Sequence, residues 1–345
     1  MKSFAKSLFA AALVLSPAVP LSAQDLTGAG ATFPYPIYSK WFSDYAAKTG
    51  VKINYQSIGS GGGIRQLSEQ TVDFGATDAP MSEAEMAKAK GGPIMHIPTV
   101  LGAVVVTYNL PELRVPLRLD GPTLADIFLG RITRWNDPRI AVLNRGTALP
   151  ATDILVVHRS DGSGTTYVFT DYLTAVSPAW AKAVGKGKDV KWPVGLGGKG
   201  NEGVAGQIKQ TPGTLGYVEL AYATQNKLPS AAIRNVAGQF VEPSVETITA
   251  AAAGVLDKVA AGTDYRISIV NAPGATAYPI SSFTWILLYR TQSNAQKGHR
   301  LVDFVRWGLT DGQQVETGLD YAPLPTEMTG RLRQRLDSIS FGGAR

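Results

Sequence analysis

Three short segments, each combining glycine with a hydroxyl side chain, stand at the predicted starts of helices. They are Gly30-Ala31-Thr32-Phe33, Gly59-Ser60-Gly61-Gly62 and Asp161-Gly162-Ser163-Gly164-Thr165. The apolar run Ile154-Leu155-Val156-Val157 leads into the third, and Val168, Phe169, Tyr172 and Leu173 share one face of the helix that follows. A strand, a tight loop and a helix start aim free backbone N–H groups at one point, where an anion is favoured. A strand that hands over to a helix, repeated along a chain, builds βαβ units and parallel sheets.

The rest of the chain keeps this alternation. Ile37, Trp41 and Tyr45 recur at helical spacing, and Lys48-Thr49-Gly50 reads as the end of that helix. Val51, Ile53 and Tyr55 alternate as in a strand. Ile64, Leu67 and Val72 mark the next helix, Val72 to Ala76 reads as a short strand, and Val100 to Val106 as a buried one. Ala250 to Leu256 and Val302 to Trp307 read as helices, and Phe283 to Tyr289 as a strand. The fold class expected is α/β. No internal repeat or low-complexity linker separates two halves, so two lobes would exchange the chain more than once. Ligands of open α/β sheets bind beyond the carboxyl ends of strands, where these loops lie.

Composition narrows the classes of function. Lys2 and Lys6 precede an apolar run from Leu8 to Leu15, and Leu21-Ser22-Ala23 offers a small residue for cleavage. Residues 1–23 therefore read as a secretory signal peptide, too short for a membrane span and without the Cys of a lipoprotein. The 345-residue chain carries a net charge of +6, and loss of Lys2 and Lys6 lowers it by two. No Lys/Arg run marks a nucleic-acid surface. His96, His158 and His299 are far apart and there is no Cys, so no metal site is expected. Phe33 and Ile64 stand where a dinucleotide fingerprint needs its third glycine, and Gly198-Lys199-Gly200 lacks the hydroxyl of a P-loop. No cofactor is expected.

What remains is oxyanion chemistry. The third loop offers the Arg159 guanidinium, several hydroxyls and helix amides, with Asp161 close enough to pair with Arg159. A capped helix after a tight turn explains that loop alone equally well; three such loops that converge on one anion make a stronger case. Asp78, after the short strand, is the odd member of a set of donors. It reads either as a turn residue before Pro80 or as the acceptor for a protonated oxyanion. Phosphate keeps a proton near neutral pH and sulfate does not, so a buried carboxylate facing sulfate would meet only lone pairs. A hydrolase with Ser163 as nucleophile and His158 as base is the rival, but the chain has no Gly-x-Ser-x-Gly elbow here.

At this point the chain resembles a known family, the periplasmic phosphate-binding proteins of bacterial phosphate-specific ABC transporters. The residues that carry the likeness are Leu26 to Pro34, Val72 to Pro80, Asp161 to Thr165, Trp192 to Asn201 and Leu215 to Glu219. The resemblance implies a two-lobed, hinged periplasmic binding fold of type II, each lobe a mainly parallel sheet flanked by helices. Lobe 1 would hold residues 24–100 and 283–345, lobe 2 residues 104–278, with crossings near 100–103 and 278–282. Thr32, Phe33 (by its backbone N–H), Ser60 and Asp78 would bind phosphate from the first lobe. Arg159, Ser163, Gly164 and Thr165 would bind from the second, with Asp161 holding Arg159. The implied role is capture of phosphate in the periplasm, as a monomer and without catalysis, for delivery to inner-membrane permease subunits. Sulfate or arsenate is the alternative ligand. His158 and Thr77 are small departures from the family pattern near the site.

Overall fold

The computed structural model describes residues 25–255, 264–314 and 317–342; the leader expected at residues 1–23 lies outside them. The strands, in chain order, are β1 (Leu26–Gly30), β2 (Ile53–Ser57), β3 (Phe74–Thr77), β4 (Ile94–Tyr108), β5 (Arg118–Leu119), β6 (Leu155–Arg159), β7 (Leu196–Gly198), β8 (Thr214–Glu219), β9 (Ala232–Arg234), β10 (Phe240–Val241), β11 (Ser281–Tyr289), β12 (Thr291–Gln292) and β13 (Ser340–Phe341). The helices that matter to the site are α1 (Tyr35–Thr49), α2 (Ser60–Ser68), α3 (Glu83–Ala87), α4 (Gly121–Phe128), α5 (Pro138–Ala141), α6 (Gly164–Val176), α7 (Pro178–Ala183), α8 (Gly200–Gln210), α9 (Leu220–Asn226), α10 (Val245–Ala253) and α11 (Ala295–Gly308).

Eight strands form one sheet in the order β2-β1-β3-β11-β4-β8-β6-β7. Its two ends are parallel: β1 lies between β2 and β3, and β6 between β7 and β8. The middle is antiparallel. The first part of β4, Ile94 to Ala103, pairs with β11, and its last part, Val104 to Tyr108, pairs with β8. One strand thus serves both halves of an α/β fold. All fifteen residues of β4 are buried, which explains an apolar run without alternation.

The sequence shows only the middle of β4, because Pro98 reads as a break in a strand. Proline has no N–H to give to a ladder. Here it faces Trp285 while Val100 faces Thr284, so β4 itself carries one extra residue, Thr99, and bulges beside the proline where the donor is missing. Asp73 also falls outside β3: its carboxylate accepts from the Thr27 amide at 2.7 Å and from Lys297 at 2.9 Å. Helix α1 ends as its sequence implies, with Gly50 at φ 76° and its N–H bonded to the Ala46 carbonyl. On its buried face, Trp41, Phe42 and Tyr45 pack against Phe304 and Trp307 of α11.

Gly102 lies in β4 beneath the first loop, where an added Cβ would sit 2.5 Å from the Phe33 ring. Overpacking of this kind costs about 1–3 kcal/mol. Gly102→Ala is therefore expected to lower the unfolding free energy by that amount, seen as a lower urea midpoint with the slope unchanged. A midpoint equal to the parent's would show that the Phe33 ring yields freely.

Candidate functional site

The three loops come together at the carboxyl ends of β1, β2 and β6, beside Asp78 at the end of β3. Their approach is close enough to demand glycine at two positions. Gly59 has φ 86°, and a Cβ there would lie 2.3 Å from Asp161 Oδ2. A Cβ on Gly164 would lie 2.3 Å from Asp78 Oδ2 and 2.4 Å from Ser60 Oγ. The Gly61 amide donates to the Gly162 carbonyl at 2.8 Å, tying the second loop to the third. Thr32, Phe33, Ser60, Asp78, Arg159, Ser163 and Thr165 are all buried.

Most polar groups here are arranged as donors. Ser163 caps α6, its Oγ accepting from the Thr166 amide at 3.0 Å; its hydroxyl hydrogen remains to donate. Gly164 and Thr165 open α6, and Ser60 opens α2, so their amides have no partner inside the helix. The first loop differs from the expectation in one respect: α1 begins only at Tyr35, so Thr32 and Phe33 lie ahead of the helix. The Thr32 carbonyl accepts from Tyr222 OH at 2.7 Å. A trans peptide points its C=O and N–H in opposite directions, so Tyr222 also sets the direction of the Phe33 N–H.

Arg159 is held by Asp161. Its Nε donates to Asp161 Oδ1 at 2.8 Å and its Nη2 to Oδ2 at 2.5 Å, while Nη1 donates to Thr165 Oγ1 at 3.2 Å. A guanidinium has five N–H bonds; these contacts leave one on each terminal nitrogen for a ligand. Burial alone would push the Asp161 carboxyl up. The Arg159 pair and the Gly200 amide, 3.0 Å from Oδ1, outweigh it and hold the group below its usual range.

Asp78 is the exception among the donors. Thr284, in β11 across from the β4 bulge, donates to its Oδ1 at 2.7 Å. Its own amide donates to Ser60 Oγ at 3.2 Å. Burial pushes its carboxyl up to about 7, despite the opposing pull of Thr284, Arg159 and Ser60. A cavity of about 570 Å³ opens beside it, bordered by Met81, Glu85, Lys188, Arg266 and Trp285.

Several residues at the site were not singled out from the sequence. Asn201 donates from Nδ2 to Thr32 Oγ1 at 2.7 Å and to Thr165 Oγ1 at 3.1 Å. Tyr321 OH lies 2.6 Å from the Phe33 carbonyl and 3.0 Å from Glu219 Oε2. Burial raises the Glu219 carboxyl well above its ordinary range. The Tyr321 hydroxyl is the donor toward both, and Glu219 Oε2 also accepts from the Ala221 amide at 2.8 Å. Asn201 and Glu219 lie in segments that resemble the family, but only folding brings them to Thr32 and Phe33. His158 does not reach Ser163: its ring stacks on Trp192 at 4.8 Å and its Nδ1 lies 2.9 Å from the Arg159 carbonyl.

The fold and this donor-lined site define the chain as a solute-binding protein, and residues 16–311 match the model of the PBP superfamily domain. It is 46% identical to the phosphate-binding protein PstS of Pasteurella multocida, over 95% of this chain and 94% of that one. It is 42% identical to the protein of the same name from Methanocaldococcus jannaschii, over 87% and 82% of the two chains. The chain belongs to the family of phosphate-binding proteins PstS. Among solved structures, its fold is similar to a high-affinity periplasmic phosphate-binding protein bound with phosphate (TM-score 0.70, 22% identity, 90% of this chain and 93% of that one). It is likewise similar to the phosphate-binding protein of Stenotrophomonas maltophilia (TM-score 0.71, 20% identity, 90% and 93%).

The raised Asp78 carboxyl makes stability depend on pH. The folded chain keeps this proton up to about pH 7, whereas the ordinary value is 3.8. The group therefore favours the fold at low pH, and that advantage is lost as pH rises through 7. Ligand-free Asp78→Asn is expected to gain stability over the parent as pH rises from 4 to 8, by at most about 4 kcal/mol. Urea melts at pH 5 and pH 8 in phosphate-free buffer measure this; an equal difference at both would refute the assignment.

Proposed function

We propose that this chain binds inorganic phosphate with high affinity in the periplasm and delivers it to an inner-membrane ABC permease. The observation that carries the reading is one buried carboxyl, Asp78, poised near neutrality and facing a set of donors. The hydroxyls of Thr32, Ser60, Ser163 and Thr165, the Arg159 guanidinium and the amides of Phe33, Gly164 and Thr165 suit the lone pairs of an oxyanion. Asp78 suits only an oxyanion that still carries a proton. With the carboxyl near 7, and a phosphate's second ionisation also near neutrality, the pair shares one proton in a charge-assisted hydrogen bond. Fully ionised sulfate offers Asp78 no proton.

The site is read as split between two hinged lobes, residues 24–100 with 283–345 and residues 104–278, with crossings near 100–103 and 278–282. Thr32, Phe33, Ser60 and Asp78 then belong to one lobe and Arg159, Ser163, Gly164 and Thr165 to the other. On this reading the bond from Gly61 to Gly162 and the 2.7 Å ion pair of Lys188 with Glu85 are closing contacts. A ligand touching both halves favours closure by its differential contacts. No bond chemistry is involved, since Ser163 Oγ has neither an imidazole nor a carboxylate as partner among the described residues. Export by a cleaved leader, residues 1–23, and action as a monomer complete the reading.

Calorimetric titration tests it. Phosphate is expected to bind one to one, and sulfate at least about a hundredfold more weakly. Asp78→Asn is expected to shrink that ratio by about tenfold or more, because an amide donates to sulfate. Sulfate bound as tightly as phosphate by the parent would overturn the reading. So would turnover of a phosphate ester that disappears in Ser163→Ala.

A further inference from the structure

We propose that Asn201 is a positioning residue for phosphate recognition: its amide nitrogen turns the Thr32 and Thr165 hydroxyls, from opposite sides of the site, into obligate donors to the anion. The inference rests on the phosphate reading above and deepens it.

The argument is one of hydrogen-bond valence. A threonine hydroxyl has one hydrogen and two acceptor positions. Thr165 Oγ1 accepts from Arg159 Nη1 at 3.2 Å and from Asn201 Nδ2 at 3.1 Å. Thr32 Oγ1 accepts from Asn201 Nδ2 at 2.7 Å and from the Asn201 amide at 3.4 Å. Both acceptor positions on each oxygen are occupied, so each hydroxyl hydrogen must point elsewhere. The amide can give one hydrogen to each threonine, and its orientation is not arbitrary. The Glu219 amide donates to Asn201 Oδ1 at 2.9 Å; a flipped side chain would set NH₂ against N–H. It would also offer its oxygen to both hydroxyls and draw their hydrogens away from a ligand. Asn201, Thr32 and Thr165 are all buried, so water does not compete for these positions. Asn201 sits in the first turn of α8, beside Gly200, whose amide holds Asp161. One helix start therefore orients the guanidinium and both hydroxyls.

A double-mutant cycle distinguishes this role from simple packing. Phosphate affinity is measured by calorimetry for the parent, Asn201→Ala, Thr32→Val, Thr165→Val and the two combinations. Asn201→Ala is expected to weaken binding about tenfold or more. That loss should shrink at least about threefold in one or both valine backgrounds, where the hydroxyl it orients is gone. A smaller loss in the parent, or an undiminished loss in both valine backgrounds, overturns the proposal. If Asn201→Ala fails to fold by circular dichroism, the near-isosteric Asn201→Asp carries the same cycle. It keeps the acceptor for Glu219 but offers the threonines no donor. A parent that binds no phosphate refutes the phosphate reading; a binding parent with an additive cycle refutes only the role of Asn201.

Discussion

The burial of Asp78 is the constraint around which the site is organised. An ionised carboxylate shut away from water is expensive unless donors surround it. Thr284, Ser60 and the nearby Arg159 offset part of that cost, yet the carboxyl still rises to about 7. On the phosphate reading proposed above, the remaining imbalance is what a protonated oxyanion relieves. On that reading, selectivity comes from a group left incompletely satisfied, a common origin of discrimination by hydrogen bonding.

The donors around Asp78 are held by a second layer that fixes the direction of each. Asp161 fixes the guanidinium, leaving two of its N–H bonds outward. Ser163 spends its acceptor capacity on α6 and keeps its hydrogen. Tyr222 and Tyr321 grip the carbonyls of Thr32 and Phe33, which sets the peptide between them. Preorganisation of this kind lowers the entropy to be lost on binding. It also explains why polar side chains are concentrated in an otherwise apolar interior.

Much of this was legible in the chain. The strand–loop–helix junctions and the capping serine at 163 follow from local patterns that need no tertiary knowledge. The pairing of Arg159 with Asp161 is a matter of two residues' spacing. Other elements depended on long-range contacts. Pro98 conceals the first half of β4, because only the bulge beside it, at Thr99, makes proline tolerable there. Thr284 lies 206 residues from Asp78 and Asn201 lies 169 from Thr32; no periodicity links such pairs. The asparagine at 201 looks like any polar residue in a first helical turn until the fold sets it between two threonines.

The topology adds a last consequence. The loops bearing Thr32, Ser60 and Asp78 spring from β1, β2 and β3, and those bearing Arg159 and Ser163 from β6. The strands between them, β11 and β4, pair along Ser281 to Ala103, and β4 continues as the partner of β8 from Val104. The two sets of loops are therefore joined by continuous, fully buried strand rather than by flexible linker. On the two-lobed reading proposed above, relative motion of the two sets of loops passes through these paired strands.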